Sequence, residues 1–62
     1  MNYAKRVVQA LMTSGYMDED AAKELVAANA AIVIAGGMNG DPAEDVAHDL
    51  FLMLGLGLGE EN

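Results

Sequence analysis

The sequence DPAEDVAHDLFLML at positions 41–54 carries the clearest helix signal in the chain. Asp41 is a preferred N-cap residue, Pro42 has the fixed φ of a first helical residue, and Glu44 lies three residues after the cap. Apolar residues then recur at the spacing of one helical face, at Ala43, Val46, Ala47, Leu50, Met53 and Leu54. This stretch therefore predicts a helix over 42–54 whose apolar face is turned to a core.

Two further helices are expected before this one. The first covers 3–13 and is closed by Gly15 just past its end. The second covers 19–35, where acidic residues meet the positive end of the helix dipole, and Gly36-Gly37 are expected to end it. Its second half is apolar on nearly every side, which is typical of a helix buried between neighbours. The expected fold is all-α: a compact three-helix bundle with helices near 3–13, 19–35 and 42–54.

The 62 residues allow a single helical domain, 1–62, in which 54–62 form a Gly/Leu C-terminal tail. No apolar run approaches the roughly 18 residues that identify a membrane span. The first residues also lack the apolar stretch of a signal peptide. We therefore expect a cytoplasmic protein that does not enter a membrane, and host cytoplasm if a phage encodes it.

Charge is unevenly distributed along the chain. Ten acidic and three basic residues give a net charge of −7. Lys5 and Arg6 make residues 1–17 +2, whereas ten acids and Lys23 make residues 18–62 −9. Such a surface is repelled by nucleic acid and anionic membranes and attracted to basic proteins. The expected partner is a basic protein surface, with no direct binding of nucleic acid.

Candidate chemical sites are few. The glycine-containing stretch 36–40 precedes a helix but has no Lys-Ser/Thr, so it is expected to be an inter-helix loop rather than a phosphate-binding loop. His48 lies among Glu44, Asp45 and Asp49, and we expect a surface histidine on a solvated face. The chain has no cysteine and no evident nucleophile. We therefore expect no enzyme activity, no cofactor and no metal site.

The acidic side chains allow two interpretations. Carboxylates four residues apart on a helix, such as Asp45 and Asp49, have a spacing comparable with that of phosphates along a strand, and could imitate nucleic acid. Acids at helix starts also stabilise any helix, and a charged surface keeps a protein soluble. Under the first interpretation the candidate partner-binding residues are Asp18, Glu19, Asp20, Glu24, Asp45 and Asp49.

Apolar residues surround the end of the third expected helix, although one stripe suffices for a core. Exposed apolar patches usually indicate an interface. The candidate residues for an apolar partner site or a homodimer are Tyr16, Phe51, Leu52, Leu54, Leu56 and Leu58. Leu56 and Leu58 could equally fold back on their own bundle.

Residues 11–29, LMTSGYMDEDAAKELVAAN, resemble the first half of a ubiquitin-associated domain. The family's Met-x-x-Gly-aromatic loop, followed by Ala, Leu and Asn, falls on Met12, Gly15, Tyr16, Ala21, Leu25 and Asn29. The resemblance implies a three-helix bundle that binds ubiquitin through Met12, Gly15, Tyr16, Leu52 and Met53. The family's second helix ends near its Asn, whereas the pattern here predicts a helix that continues to Ala35.

A second resemblance is one of class. A small, cysteine-free, strongly acidic chain without catalytic groups resembles the phage proteins that block host defence, anti-CRISPR proteins in particular. The resemblance implies an inhibitor that occupies a basic, nucleic-acid-binding surface of a host complex. It rests on size and charge, because such proteins share no motif. The preferred hypothesis is such an inhibitor, and the alternatives are a ubiquitin-associated-type adaptor and a structural homodimer.

Overall fold

The computed structural model describes residues 2–55, which form four α-helices. They are α1 (Tyr3–Thr13), α2 (Glu19–Ala28), α3 (Ala30–Asn39) and α4 (Ala43–Gly55). The all-α prediction is confirmed, but the expected count of three helices is wrong, because the region expected to form one helix over 19–35 contains α2 and most of α3. The greater part of the Gly/Leu tail, 56–62, lies outside the described residues.

Asn29 separates α2 from α3. Its φ of −121° and ψ of 37° depart from helical values, and the axes of the two helices are bent by 84°. The side-chain Nδ2 of Asn29 donates a hydrogen bond of 2.9 Å to the carbonyl of Leu25 in the preceding turn. Asn competes in this way with the backbone, so it disfavours helix interiors. The helix therefore breaks at a residue that is neither Gly nor Pro.

Gly36 and Gly37 lie inside α3, so the prediction that they end a helix and open a loop is wrong. They are required for close packing instead. A Cβ on Gly36 would lie 2.7 Å from Cγ2 of Val46 and 3.1 Å from the hydroxyl of Tyr3. A Cβ on Gly37 would lie 3.1 Å from Cγ and Cδ2 of Tyr3. The two glycines let the Tyr3 ring and α4 approach the α3 backbone.

The helix that contains these glycines ends at Asn39 and is followed by Gly40, whose φ of 76° is left-handed. The N–H of Gly40 donates to the carbonyl of Gly37 at 3.2 Å, and the N–H of Asp41 donates to that of Gly36 at 2.9 Å. This is the Schellman pattern that satisfies the last carbonyls of a helix. The same pattern closes α1, where Gly15 has a φ of 78°.

The core lies where α1 packs against α2 and α4. Tyr3 at the start of α1 donates a hydrogen bond of 2.8 Å to the carbonyl of Asp41, just before α4. Tyr16, after α1, stacks on Phe51 in the second half of α4. These contacts show that α1 and α4 run side by side in the same direction. The buried apolar residues are Val7, Ala10, Leu11, Ala22, Val26, Val33, Ala43, Val46, Ala47 and Leu50.

The length and apolar composition of each helix show whether it could cross a membrane. Across residues 2–55, none of the helices is individually long and apolar enough to cross a membrane. Together α2 and α3 meet the length and composition criteria, but the two helices are bent by 84° at Asn29.

Candidate functional sites

Eight of the ten acidic residues lie in the described part of the chain, and all eight are exposed. They fall into two groups. The α2 acidic face consists of Asp18, Glu19, Asp20 and Glu24. The α4 acidic face consists of Asp41, Glu44, Asp45 and Asp49. The remaining two acids, Glu60 and Glu61, lie outside the described residues.

Half of the α2 acidic face serves the helix itself. Oδ1 of Asp18 accepts a hydrogen bond of 2.9 Å from the N–H of Ala21 and so caps α2. Glu19 forms an ion pair with Lys23, with 3.2 Å between Oε2 and Nζ and both side chains more than half exposed. An exposed pair of this kind contributes only about 0–1 kcal/mol to stability. Asp20 and Glu24, one turn apart, are the acids on this face that neither cap nor pair within residues 2–55.

Three acids of the α4 acidic face affect the pKa of the Tyr3 hydroxyl. Partial burial, followed by the charges of Asp41, Asp45 and Glu44, raises the pKa of the Tyr3 hydroxyl above its ordinary value of 10.0. A phenolate is disfavoured where water is displaced and where negative charge surrounds it. Burial is the largest cause of the shift, and the three carboxylates add to it in the same direction. Asp41 and Glu44, expected only as helix-start residues, therefore belong to this face.

Asp45 and Asp49 extend this face along α4. They are one turn apart, so their positions differ by about 6 Å along the helix axis. Both are exposed, and the opposite side of the helix is occupied by the buried residues Val46 and Leu50. The face is thus held on a helix that the core fixes in place.

A second candidate site is the Tyr16 groove, which lies between α2 and the end of α4. The rings of Tyr16 and Phe51 are stacked with centroids 4.0 Å apart and an interplanar angle of 7°. The Tyr16 hydroxyl forms a hydrogen bond of 3.0 Å with Nδ1 of His48. The groove is lined by Tyr16, Met17, Ala21, Glu24, Leu25, Phe51 and Leu54. Sequence reasoning placed His48 on a solvated face but missed its contact with Tyr16.

The expected apolar site residues differ in exposure. Tyr16 and Phe51 are half-buried against each other, whereas Leu52 is 46% and Leu54 is 52% exposed. Met12, in the last turn of α1, is 40% exposed. The stacking of Tyr16 on Phe51 brings the segment after α1 close to the second half of α4. Leu56 and Leu58 lie outside the described residues.

The most exposed apolar side chains lie on α3. Met38 is 82% and Ile34 is 60% exposed, while Val33 and Gly36 are the buried residues of this helix. The prediction that this apolar region is buried between neighbours is therefore wrong for α3, which packs through one side only. The helix contains no charged residue.

Two kinds of chemical site remain to be considered, a phosphate-binding loop and a metal site. Positions 36–39 of the glycine-containing stretch are helical and so form no phosphate-binding loop. Within residues 2–55 no group of three or more His, Cys, Asp or Glu side chains could hold a metal ion.

No protein-family model, curated protein or solved structure matches this chain.

Proposed function

We propose that this protein is a non-catalytic binding protein whose acidic faces occupy a basic, nucleic-acid-binding surface of another protein. In this proposal the carboxylates take positions that phosphates of the nucleic acid would otherwise fill. The partner surface is lined by Lys and Arg, because these side chains hold phosphates and carboxylates through the same charge-assisted hydrogen bonds. The protein itself binds neither nucleic acid nor membrane.

The observation that supports this proposal is the α4 acidic face. Four exposed carboxylates lie on α4 and at Asp41, two residues before it, and three of them contribute, after burial, to the raised pKa of Tyr3. The helix start explains an acid at Asp41 or Glu44, but the dipole effect falls off within the first turn and does not explain Asp49. A basic partner surface would interact favourably with all four carboxylates of the α4 acidic face.

The specific form of the proposal is an inhibitor of a host defence complex, of the anti-CRISPR kind, acting in the host cytoplasm. Small size and strong negative charge support it. A helical scaffold with exposed carboxylates is suited to competition, because it keeps the charges in place before binding and so lowers the entropic cost of association.

The test combines capture with competition by nucleic acid. Tagged protein is immobilised, a host-type lysate is passed over it, and duplex DNA is added to the bound fraction. We expect basic, nucleic-acid-binding proteins to be captured and to be released by DNA. We also expect the Asp45→Asn/Asp49→Asn double variant to lose at least about tenfold in affinity, which corresponds to about 1.4 kcal/mol.

The matched control is Glu19→Gln, since this carboxylate already pairs with Lys23. It changes the charge at one exposed position and is expected to reduce capture much less than the α4 variant. The proposal fails if DNA releases nothing and the Asp45→Asn/Asp49→Asn variant captures its partner as well as the original protein does.

A second candidate function is a ubiquitin-associated-type adaptor that binds through an apolar patch. The stacking of Tyr16 on Phe51 and the exposure of Met12 and Leu52 favour it. Its binding would depend little on salt, because apolar contacts are not screened. A Met12→Glu/Leu52→Glu variant changes only exposed positions and should abolish binding to ubiquitin under this hypothesis, whereas the acidic-face hypothesis predicts no binding to ubiquitin by either protein.

A further inference from the structure

The outward side of α3 forms a continuous apolar stripe, which we call the α3 stripe. Its members are Ala31, Ile34, Ala35 and Met38, spaced three or four residues apart and all exposed. Residues at this spacing share one helical face. The opposite side of α3, with Val33 and Gly36, packs on the bundle. The stripe is therefore fixed in orientation but has no neighbour among residues 2–55.

Charge favours a second copy of this chain as the occupant. The protein has a net charge of −7, and α3 is the one helix in residues 2–55 without a charged residue. Two copies that approach through any acidic face repel each other, whereas two α3 stripes meet without bringing like charges into contact. An uncharged apolar face is also self-complementary, as a two-fold interface requires.

We propose that the α3 stripe is a homodimer interface in which two α3 helices pack antiparallel about a two-fold axis. This arrangement opposes the two helix dipoles, which is favourable. It also sets Met38 of one copy beside Ala31 of the other, so a large side chain meets a small one at each end. At the centre, Ile34 of each copy lies level with Ala35 of the other.

Surface area limits how strong this dimer is. A standard interface buries about 800 Å² on each partner, and that is about a fifth of the 4023 Å² accessible surface of this chain. Helix α3 is ten residues long, and one of its sides is already packed on the bundle. The area that its outward side can bury against a partner is therefore smaller than about 800 Å². The dimer is consequently reversible and forms in a concentration-dependent manner.

The test is sedimentation equilibrium of the isolated protein over concentrations from roughly 1 μM to 1 mM, which spans the range for a weak dimer. We expect a monomer–dimer equilibrium whose dissociation constant falls as salt is raised, because salt screens the repulsion between two acidic chains. Ile34→Glu should leave the protein monomeric throughout. Ile34 is 60% exposed, so circular dichroism should show an unchanged helical fold.

The matched control is Leu54→Glu, which places the same charge at an apolar side chain that is 52% exposed on α4. It should dimerise as the original protein does. A protein that stays monomeric up to the highest concentration overturns the proposal. So does a dimer that Leu54→Glu disrupts and Ile34→Glu leaves intact, because the interface would then lie at the end of α4. Neither result depends on whether the acidic faces bind a partner.

Discussion

Helices α3 and α4 are both rich in apolar residues, yet they use them differently. In α4 the residues are sorted: Val46 and Leu50 are buried, and Asp45 and Asp49 are exposed on the other side. In α3 the inner and outer sides are both apolar, so Val33 is buried while Ile34 is largely exposed. The alternation of polar and apolar residues in α4 specifies which face packs on the core. The sequence of α3 is apolar on both sides, so its buried side is determined by how the helices pack.

The difference shows that hydrophobicity does not by itself decide burial in a small bundle. A chain of this size has a limited interior, and α1 and α4 already share much of it. The residues of α3 that reach this interior lie on the side of Val33 and Gly36, where the backbone itself approaches Tyr3. The remaining apolar side chains of α3 are available to another molecule.

The largest expected effect contrasts a buried and an exposed apolar side chain on these two helices. Leu50 is fully buried in α4, so Leu50→Ala should lower the free energy of unfolding by about 2–5 kcal/mol through lost burial and a cavity. Ile34→Ala should change it by no more than about 0.5 kcal/mol in dilute, monomeric protein. Urea denaturation followed by circular dichroism measures both. Equal losses would mean that α3 is packed on its outer side as well.

A smaller effect is expected at the glycines of the same two helices. Gly36→Ala should destabilise the protein by about 1–3 kcal/mol, since its Cβ would lie 2.7 Å from the buried Val46 side chain and force repacking. Gly55→Ala is the control, because a Cβ there meets nothing within 4 Å. We expect it to be neutral within about 0.5 kcal/mol. Thermal or urea denaturation distinguishes the two, and a neutral Gly36→Ala would contradict the close packing of α3 on α4.

The smallest expected effect concerns Tyr3, which joins α1 to the start of α4. Its pKa is raised in the folded protein, so the folded state holds the phenolic proton more tightly than the unfolded state does. This contribution to stability is fully present below pH 10.0, the ordinary value, and is lost as pH rises through the folded pKa. Urea denaturation at pH 8 to 11 should show this loss in the original protein.

The variant Tyr3→Phe supplies the comparison. It should lose about 1 kcal/mol at neutral pH, because the hydrogen bond to the carbonyl of Asp41 is absent. It should also lack the part of the alkaline decline that Tyr3 causes. Tyrosinate absorbance of the two proteins isolates the titration of Tyr3 by difference, and a midpoint at or below 10 would contradict the negative field of the α4 acidic face.

Much of the fold was predictable because short-range signals specify it. The helix predicted over 3–13 coincides with α1, Gly15 closes it as expected, and the helix predicted over 42–54 is displaced by one residue from α4. The break at Asn29 was missed although it has a local signal. Asn disfavours helix interiors, and its amide bonds to the carbonyl of Leu25 in the preceding turn, but the apolar pattern on both sides of Asn29 predicted a continuous helix.

The candidate sites were predictable in composition and less so in geometry. Exposed acids on α2 and α4 follow from the sequence, but the convergence of Asp41, Glu44 and Asp45 on Tyr3 requires α1 and α4 to run in the same direction. The contact between Tyr16 and His48 depends on the same arrangement. The exposure of Ile34 and Met38 could not be inferred from a segment whose every side is apolar.

The most direct test of the proposed function is the salt dependence of partner binding. A partner held by the α4 and α2 acidic faces should dissociate progressively as sodium chloride is raised through roughly 0.1 to 1 M, because the Debye length falls from about 10 to 3 Å. The measurement is the affinity of the captured partner across this series. A steep loss of affinity is the result we predict, and a complex that persists unchanged at 1 M salt would contradict an electrostatic role for the acidic faces.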